Sequence, residues 1–132
     1  MMEHELKFYV PELSSSSLEK KCQAGHSTQC QLKALYFDTT SRQLAQKKMS
    51  LRLRHEGHRW VQTLKMPAGF AQSRQEISHD RDHPELDLTL YRDTPAQGVF
   101  AELIEPLMLR FEAHISRRIR LERFANGLIE VA

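Results

Sequence analysis

Hydrophobic and charged residues alternate along several segments of the chain, with the two-residue period of a half-buried β-strand. The alternation is clearest in segment 50–66, where two such runs lie on either side of Glu56-Gly57, a dipeptide suited to a tight turn. We therefore predict a β-hairpin in this segment. Alternating runs also predict strands over 3–10, 32–39, 73–79, 112–124 and 127–132, the last two joined at Asn126-Gly127.

Three other segments have features of helices. In segment 14–25, Ser16 and Glu19 have the spacing of a capping box, although the serines could instead form a flexible linker. Two more helices are predicted over 41–49, with Ser41 as the cap, and over 96–111, with a break or kink at Pro106, while the polar segment 79–95 is predicted to be mostly loop. The fold class that follows is α+β, an antiparallel barrel or tunnel with two or three flanking helices.

Length and composition narrow the possible functions. A chain of 132 residues suits a single domain over 1–132. The 19 basic and 17 acidic residues give a net charge of +2, which does not indicate bulk binding to nucleic acid. The sequence contains neither a secretory signal nor a stretch apolar enough to span a membrane. We therefore predict a cytoplasmic protein with neither nucleic acid nor membrane as a partner.

The polar faces of the predicted strands carry mainly arginine, lysine and glutamate. A solvated sheet face is the usual explanation of such alternation, but it normally includes more serine, threonine and glutamine. If the strands close into a barrel, these charges line its lumen. Guanidinium and ammonium groups suit phosphate oxygens, and carboxylates suit Mg²⁺ or Mn²⁺, so both together indicate a metal–polyphosphate complex.

The charged strands also resemble the motifs of a known family. The segment EHELK, residues 3–7, is similar to the ExExK signature of the CYTH superfamily, the triphosphate tunnel metalloenzymes. Further similar segments follow in the family's order, and they are LYFDT, LAQKKMSLRLR, WVQTLK, SRQE, FEAHISRRIRL and GLIEVA. Among the subgroups, the bacterial inorganic triphosphatases are the most similar. The family fold is an antiparallel tunnel lined by charge.

The resemblance implies a role for each charged strand position. A divalent metal, Mg²⁺ or Mn²⁺, would be bound by Glu3, Glu5, Glu76 and Glu130. Of these four glutamates, Glu3 and Glu5 would also be the catalytic residues. The triphosphate or other polyphosphate would be bound by Lys7, Arg52, Arg54, Lys65, Arg74 and Arg117. A one-residue change of register would replace Arg117 by Arg118 or Arg120.

One departure from the family pattern concerns the carboxyl end. In the family, the strand similar to GLIEVA is followed by further strands, whereas this sequence ends at Ala132. We therefore expect the N-terminal two-thirds of a CYTH-like domain, an incomplete tunnel, and a homodimer as one way to complete it. Metal-dependent hydrolysis of inorganic or another triphosphate is the predicted function. The alternatives are a class IV adenylate cyclase-like enzyme and a non-catalytic domain that binds phosphate-rich ligands.

Overall fold

The computed structural model describes residues 2–4, 6–12, 14, 27–69, 73–124 and 127–131. The strands are β1 (Met2–His4), β2 (Ser27–Asp38), β3 (Ser50–Glu56), β4 (Arg59–Pro67), β5 (Ser73–Arg81), β6 (Met108–Phe124) and β7 (Gly127–Val131). The helices are α1 (Gln43–Gln46), a 3-10 helix (Leu88–Tyr91) and α2 (Gln97–Ala101). The fold class is confirmed as α+β, an antiparallel sheet with short helices, as expected of part of a CYTH tunnel.

The chain divides into two units. The first unit comprises Met1–Glu5 and Leu32–His114, and the second comprises Leu6–Gln31 and Ile115–Ala132. Strands β2 and β6 contribute residues to both units. In the first unit the strand order is β1-β5-β4-β3-β2-β6, and in the second it is β2-β6-β7. The pairings β1–β5, β2–β3, β3–β4, β4–β5 and β6–β7 are all antiparallel.

The predicted hairpin forms from β3 and β4. The two strands pair from Ser50↔Lys65 to Glu56↔Arg59, which leaves Gly57 and His58 as a two-residue turn. Gly57 has a φ of 67°, the left-handed conformation that glycine adopts without a steric penalty at the first position of such a turn. The turn therefore fixes the register that places arginine and leucine on opposite faces of β3.

One face of this hairpin carries the hydrophobic core of the first unit. Leu51 and Leu64 are directly opposite each other and fully buried. They pack with Leu44 of α1 and with Tyr91 of the 3-10 helix. Burying such side chains contributes about 1.5–3 kcal/mol each to the free energy of unfolding. The short helices thus cover the apolar face of β3 and β4 and leave the charged alternation to the opposite face.

A polar pair lies inside this core. The Gln62 amide donates to the Tyr91 hydroxyl at 2.8 Å and to the Asp87 carbonyl at 3.1 Å. Burial raises the pKa of Tyr91 to about 12, because the phenolate would lose its hydration. Asp87 begins the 3-10 helix, and hydrogen bonds from Thr89 lower the pKa of its carboxyl below the ordinary value.

Helix α1 is capped by the last residue of β2, Asp38, and by Thr39, which follows it. The Asp38 carboxylate accepts hydrogen bonds from the backbone N–H of Leu44 at 2.9 Å and of Ala45 at 3.1 Å. The Thr39 hydroxyl accepts a third, from Gln43, at 3.0 Å. The prediction of Ser41 as the cap is therefore wrong; its side chain instead donates to Glu105. The negative charge of this carboxylate also interacts favourably with the positive N-terminal end of the helix dipole.

Three predicted elements differ from the observed ones. The first strand ends at His4, and residues 6–12 are exposed and outside any strand. The predicted helix 96–111 is limited to Gln97–Ala101, and β6 begins at Met108, because Pro106 cannot continue a helix. The segment 79–95 is predicted to be mostly loop, but β5 continues to Arg81 before the loop begins.

Two predicted features lie outside the described residues. The first is the predicted helix over 14–25, of which only Ser14 is described. The second is Asn126, the first residue of the predicted turn Asn126-Gly127. Among the helices that the structure describes, none has the length and apolarity needed to cross a membrane.

Candidate functional site on the charged face

The strand register places the charged residues of the first unit on one face. Residues directly opposite in an antiparallel pair have side chains on the same side of the sheet. Arg52 of β3 is opposite Thr63 of β4, which is in turn opposite Ser78 of β5. Lys65 is opposite Glu76 in the same way. We call this the charged face, and it consists of Arg52, Arg54, Glu56, Thr63, Lys65, Arg74, Glu76 and Ser78. The exposed pair of Arg59 and Asp80 lies on the same side of the sheet at the hairpin turn, and we do not count it in the charged face.

A lysine–glutamate pair lies near the middle of the charged face. The Lys65 Nζ is 3.5 Å from the Glu76 carboxylate, and the side chains are 22% and 24% exposed. The Ser78 hydroxyl donates to the same carboxylate at 3.3 Å and is hydrogen-bonded to Thr63 at 3.0 Å. These contacts hold a carboxylate and an ammonium side by side at partial exposure, where an anion or a cation from solvent can reach them.

The two arginines of β3 have different surroundings. Arg54 donates to the Glu56 carboxylate through Nε at 3.1 Å and Nη2 at 2.5 Å, and its side chain is 14% exposed. Arg52 is partly exposed, but its Nε is buried and has no hydrogen-bond partner among the described residues. A buried donor without an acceptor costs about 1–3 kcal/mol.

Arg74 is bound to the backbone of a neighbouring turn. Its Nη2 donates to the Lys48 carbonyl at 2.6 Å, while its Nε is buried and lacks a partner in the described part of the chain. One of its donors thus positions the turn after α1. The backbone of Glu3 is opposite that of Arg74 across β1 and β5, so the first strand runs beside the charged face. Glu5 lies outside the described residues.

The remaining predicted site residues belong to the second unit. There the Arg117 guanidinium is 3.1 Å from the Glu130 carboxylate, with side chains 32% and 50% exposed. Arg118 and Arg120 alternate with Arg117 and Ile119 along β6 and therefore have the opposite orientation. Lys7 is exposed in the segment that follows β1. The register thus brings Arg117, and neither neighbouring arginine, to the face of Glu130.

The charged face includes a carboxylate of the kind that binds hard divalent cations. Carboxylate oxygens are the ligands that Mg²⁺ and Mn²⁺ prefer, and Glu76 provides one on β5, one strand from Glu3. Within the described residues, no group of three or more His, Cys, Asp or Glu side chains could hold a metal ion. Of the metal ligands predicted in the first unit, Glu76 is the one whose side-chain contacts are described.

Sequence reasoning did not include three polar members of this face among the site residues, Thr63, Glu56 and Ser78; the last two make ionic or hydrogen-bonded contacts with predicted residues. Glu56 neutralises Arg54, and Ser78 binds Glu76. Both continue an alternation that was already visible, Glu56 two residues after Arg54 and Ser78 two residues after Glu76. Extending each charged run by one more period would have identified them.

Comparison with known proteins identifies the family of the chain. The family model of the CYTH domain matches residues 1–130. The chain belongs to the CYTH family. The resemblance drawn from EHELK and the later motifs is thereby confirmed. No curated protein matches this CYTH chain.

Two solved structures have a similar fold. One is a proposed adenylate cyclase from Bacillus halodurans, with a TM-score of 0.66 and 17% identity over 98% of this chain and 72% of the other. The other is a proposed adenylyl cyclase from Hippeastrum, described as having a dominant triphosphatase activity, with a TM-score of 0.55 and 15% identity over 92% of this chain and 67% of the other. At these identities the likeness shows the fold alone.

Proposed function

We propose that the charged face binds the phosphates of a triphosphate and that the chain hydrolyses one of its phosphoanhydride bonds with the help of Mg²⁺ or Mn²⁺. The observation that carries the proposal is the partly exposed Arg52, which the strand register places on the charged face. It lies on the same face as the Lys65–Glu76 pair. Membership of the CYTH family and the activity ascribed to the Hippeastrum neighbour support the same reaction class.

In the proposed reaction, the oxygen of a water forms a new bond to the terminal phosphorus. The anhydride bond breaks, its electron pair remains on the leaving diphosphate, and the water proton is released. Arg52 and Lys65 would donate hydrogen bonds to phosphate oxygens and offset their charge, which is the main requirement of phosphoryl transfer. Glu76, held by Ser78, would orient Lys65 and provide a carboxylate oxygen for the cation.

A divalent cation, when bound, supplies charge neutralisation and lowers the pKa of the attacking water. Glu76 and Glu3 are the residues of the first unit that would hold it, with Glu5 as a further proposed ligand. Arg117 and Glu130 form a second charged pair in the other unit, and we include them as proposed phosphate and metal ligands. Lys7, Arg54 and Arg74 complete the proposed phosphate-binding set.

Phosphate release from inorganic triphosphate in Mg²⁺ tests the proposal directly when Arg52→Gln is compared with Arg59→Gln. Loss of the Arg52 guanidinium should reduce kcat/KM by about 10- to 100-fold, the value of a charge-assisted hydrogen bond. Arg59 lies at the hairpin turn, pairs with Asp80 at 2.9 Å and is 55% exposed, so its replacement should leave kcat/KM within about twofold.

Equal effects of the two substitutions would show that net charge, rather than the position of Arg52, determines the activity. The proposal for the charged face would then be wrong. Circular dichroism of both variants checks that each retains the wild-type fold.

A further inference from the structure

Two hydroxyl side chains connect the interior of the first unit to the lysine–glutamate pair of the charged face. Thr63 of β4 and Ser78 of β5 are directly opposite each other, and their hydroxyl oxygens are 3.0 Å apart. The Ser78 hydroxyl is also 3.3 Å from Oε1 of Glu76. The roles proposed above assign basic groups to phosphate and carboxylates to the cation, and they do not use the Thr63 hydroxyl. We call Thr63 and Ser78 the hydroxyl pair.

The chemistry of the three groups fixes the direction of their hydrogen bonds. An ionised carboxylate can only accept a hydrogen bond, so Ser78 donates its hydroxyl proton to Glu76. At the other contact the Ser78 oxygen must then be the acceptor, which makes Thr63 the donor. The hydrogen bonds therefore run one way, from Thr63 through Ser78 to Glu76. Hydrogen bonds aligned in this way polarise and strengthen one another.

The hydroxyl pair begins at a fixed position in the sheet. Thr63 is 3% exposed and lies between the fully buried Gln62 and Leu64 on β4. Its β-branched side chain has few rotamers available in a strand, so its hydroxyl is held in place by the core. Glu76, at the other end, is 24% exposed. Ser78 thus transmits the position of a buried group to an accessible carboxylate.

The two oxygens of Glu76 have different neighbours. Oε1 accepts from Ser78, and Oε2 is 3.5 Å from Nζ of Lys65. The carboxylate is therefore oriented from two sides. A carboxylate has about four acceptor positions, so it can bind a cation in addition to these two neighbours. Groups that orient a metal-binding side chain typically change metal affinity by about 10- to 100-fold when they are removed.

We propose that Thr63 and Ser78 are positioning residues that set the affinity for the divalent cation by orienting Glu76. The inference rests on the proposed function for the role of Glu76. It deepens that function by assigning control of the metal requirement to two hydroxyl groups, neither of which has to contact the cation or the triphosphate.

Calorimetric titration of the protein with Mn²⁺, in the absence of triphosphate, measures this effect directly. Thr63→Val keeps a buried β-branched side chain of similar size and removes the hydroxyl, and it should weaken Mn²⁺ binding about tenfold. Ser78→Ala should weaken it to a similar extent. Thr63→Ser and Ser78→Thr retain a hydroxyl and should restore most of the affinity, which a general loss of packing would not allow.

A double variant tests whether the two hydroxyls act as one unit. If Thr63 acts through Ser78, Thr63→Val should have no further effect on Mn²⁺ affinity in a protein that already carries Ser78→Ala. Thr40→Val is the matched control, because the exposed Thr40 hydroxyl contacts the sulfur of Met108 at 3.3 Å and lies outside the charged face. It should leave Mn²⁺ affinity within about twofold.

Phosphate release from inorganic triphosphate gives a second measurement. Thr63→Val should raise the Mn²⁺ concentration needed for the half-maximal rate about tenfold. At saturating Mn²⁺ it should leave KM for inorganic triphosphate unchanged, because the basic groups that bind phosphate are intact.

The outcomes distinguish the positioning proposal from the proposed function. Equal Mn²⁺ affinity of wild type, Thr63→Val and Ser78→Ala would overturn the positioning proposal, as would additive effects of the two substitutions or no binding of Mn²⁺ to the wild type. Phosphate release would still support the proposed function in those cases. Mn²⁺ affinity that depends on both hydroxyls, together with no release of phosphate, would support the positioning proposal and contradict the proposed function.

Discussion

At the scale of single residues, the arginines of the charged face differ in whether an acidic side chain already neutralises them. Arg54 is already paired with Glu56, whereas the Arg52 Nε has no partner among the described residues. The alternation of β3 predicted that both arginines share a face, and the register confirms it. It could not predict which arginine is neutralised, because that depends on rotamers and on the position of Glu56 near the turn.

Removal of the Glu56 carboxylate should strengthen triphosphate binding. Glu56→Gln removes a charge that both competes for Arg54 and repels phosphate, so affinity should rise about two- to fivefold, which corresponds to about 0.5–1 kcal/mol. Calorimetry at low and high salt measures the change. Asp80→Asn is the matched control, because Asp80 pairs with exposed Arg59 and is 66% exposed. A decrease in affinity would mean that Glu56 instead orients Arg54 for binding.

Tyr91 should make stability depend on pH in the alkaline range. Its pKa is raised from 10.0 to about 12 in the fold, so the folded state favours the neutral phenol. The corresponding stabilisation is complete below pH 10 and is lost as pH rises through 12. Urea unfolding should show that Tyr91→Phe costs about 1 kcal/mol near pH 7, through the lost bond from Gln62, and that it flattens the alkaline decline.

An alkaline decline of equal slope in wild type and Tyr91→Phe would show that other groups cause it. The pH range from 8 to 12 should be covered for both proteins at one ionic strength, because lysines also titrate there.

At the scale of elements, local patterns predicted strands better than helices. The hairpin of β3 and β4 was predicted because its alternation is regular and Gly57 suits the turn. The predicted length of the helix over 96–111 is too great, because Phe100, Leu103 and Leu107 have an apolar spacing that suits a helix. They pack against the core from a short helix and an irregular segment instead. Burial, rather than helical propensity, explains these positions.

The cap of α1 also depends on a contact that spacing alone did not reveal. Asp38→Ala should lower the free energy of unfolding by about 1–2 kcal/mol, because it leaves the N–H groups of Leu44 and Ala45 without an acceptor. Urea unfolding at neutral pH measures this loss. Ser41→Ala should cost less than about 0.5 kcal/mol, since Ser41 bonds the partly exposed Glu105 rather than the helix. The reverse order of the two effects would restore Ser41 as the cap.

At the scale of the whole molecule, the sequence could identify the charged strands but not their neighbours. In the first unit β1 pairs with β5 rather than with β2, and β3 lies between β2 and β4. Such long-range pairings leave no periodic signal in the sequence. The family resemblance provided the missing information, because its motifs occur in the order of a known tunnel and the domain match extends over residues 1–130.

The charged residues of the candidate site were predictable from the sequence, but a cleft beside them was not. The alternation and the resemblance selected Arg52, Lys65 and Glu76, which the structure places on one face. They could not indicate the cleft, of about 390 Å³, that Tyr36 and Phe111 line, because these two residues are far apart in sequence and meet through the pairing of β2 with β6.

The central claim is that the charged face supports metal-dependent hydrolysis of a triphosphate. Phosphate release from inorganic triphosphate and from ATP, measured in Mg²⁺ or Mn²⁺ and again in excess chelator, tests it most directly. We predict release of one phosphate per triphosphate that requires the metal and has a kcat/KM about 10- to 100-fold lower in Arg52→Gln. Release that is unaffected by the chelator, or no release from either substrate with both metals, would contradict the account.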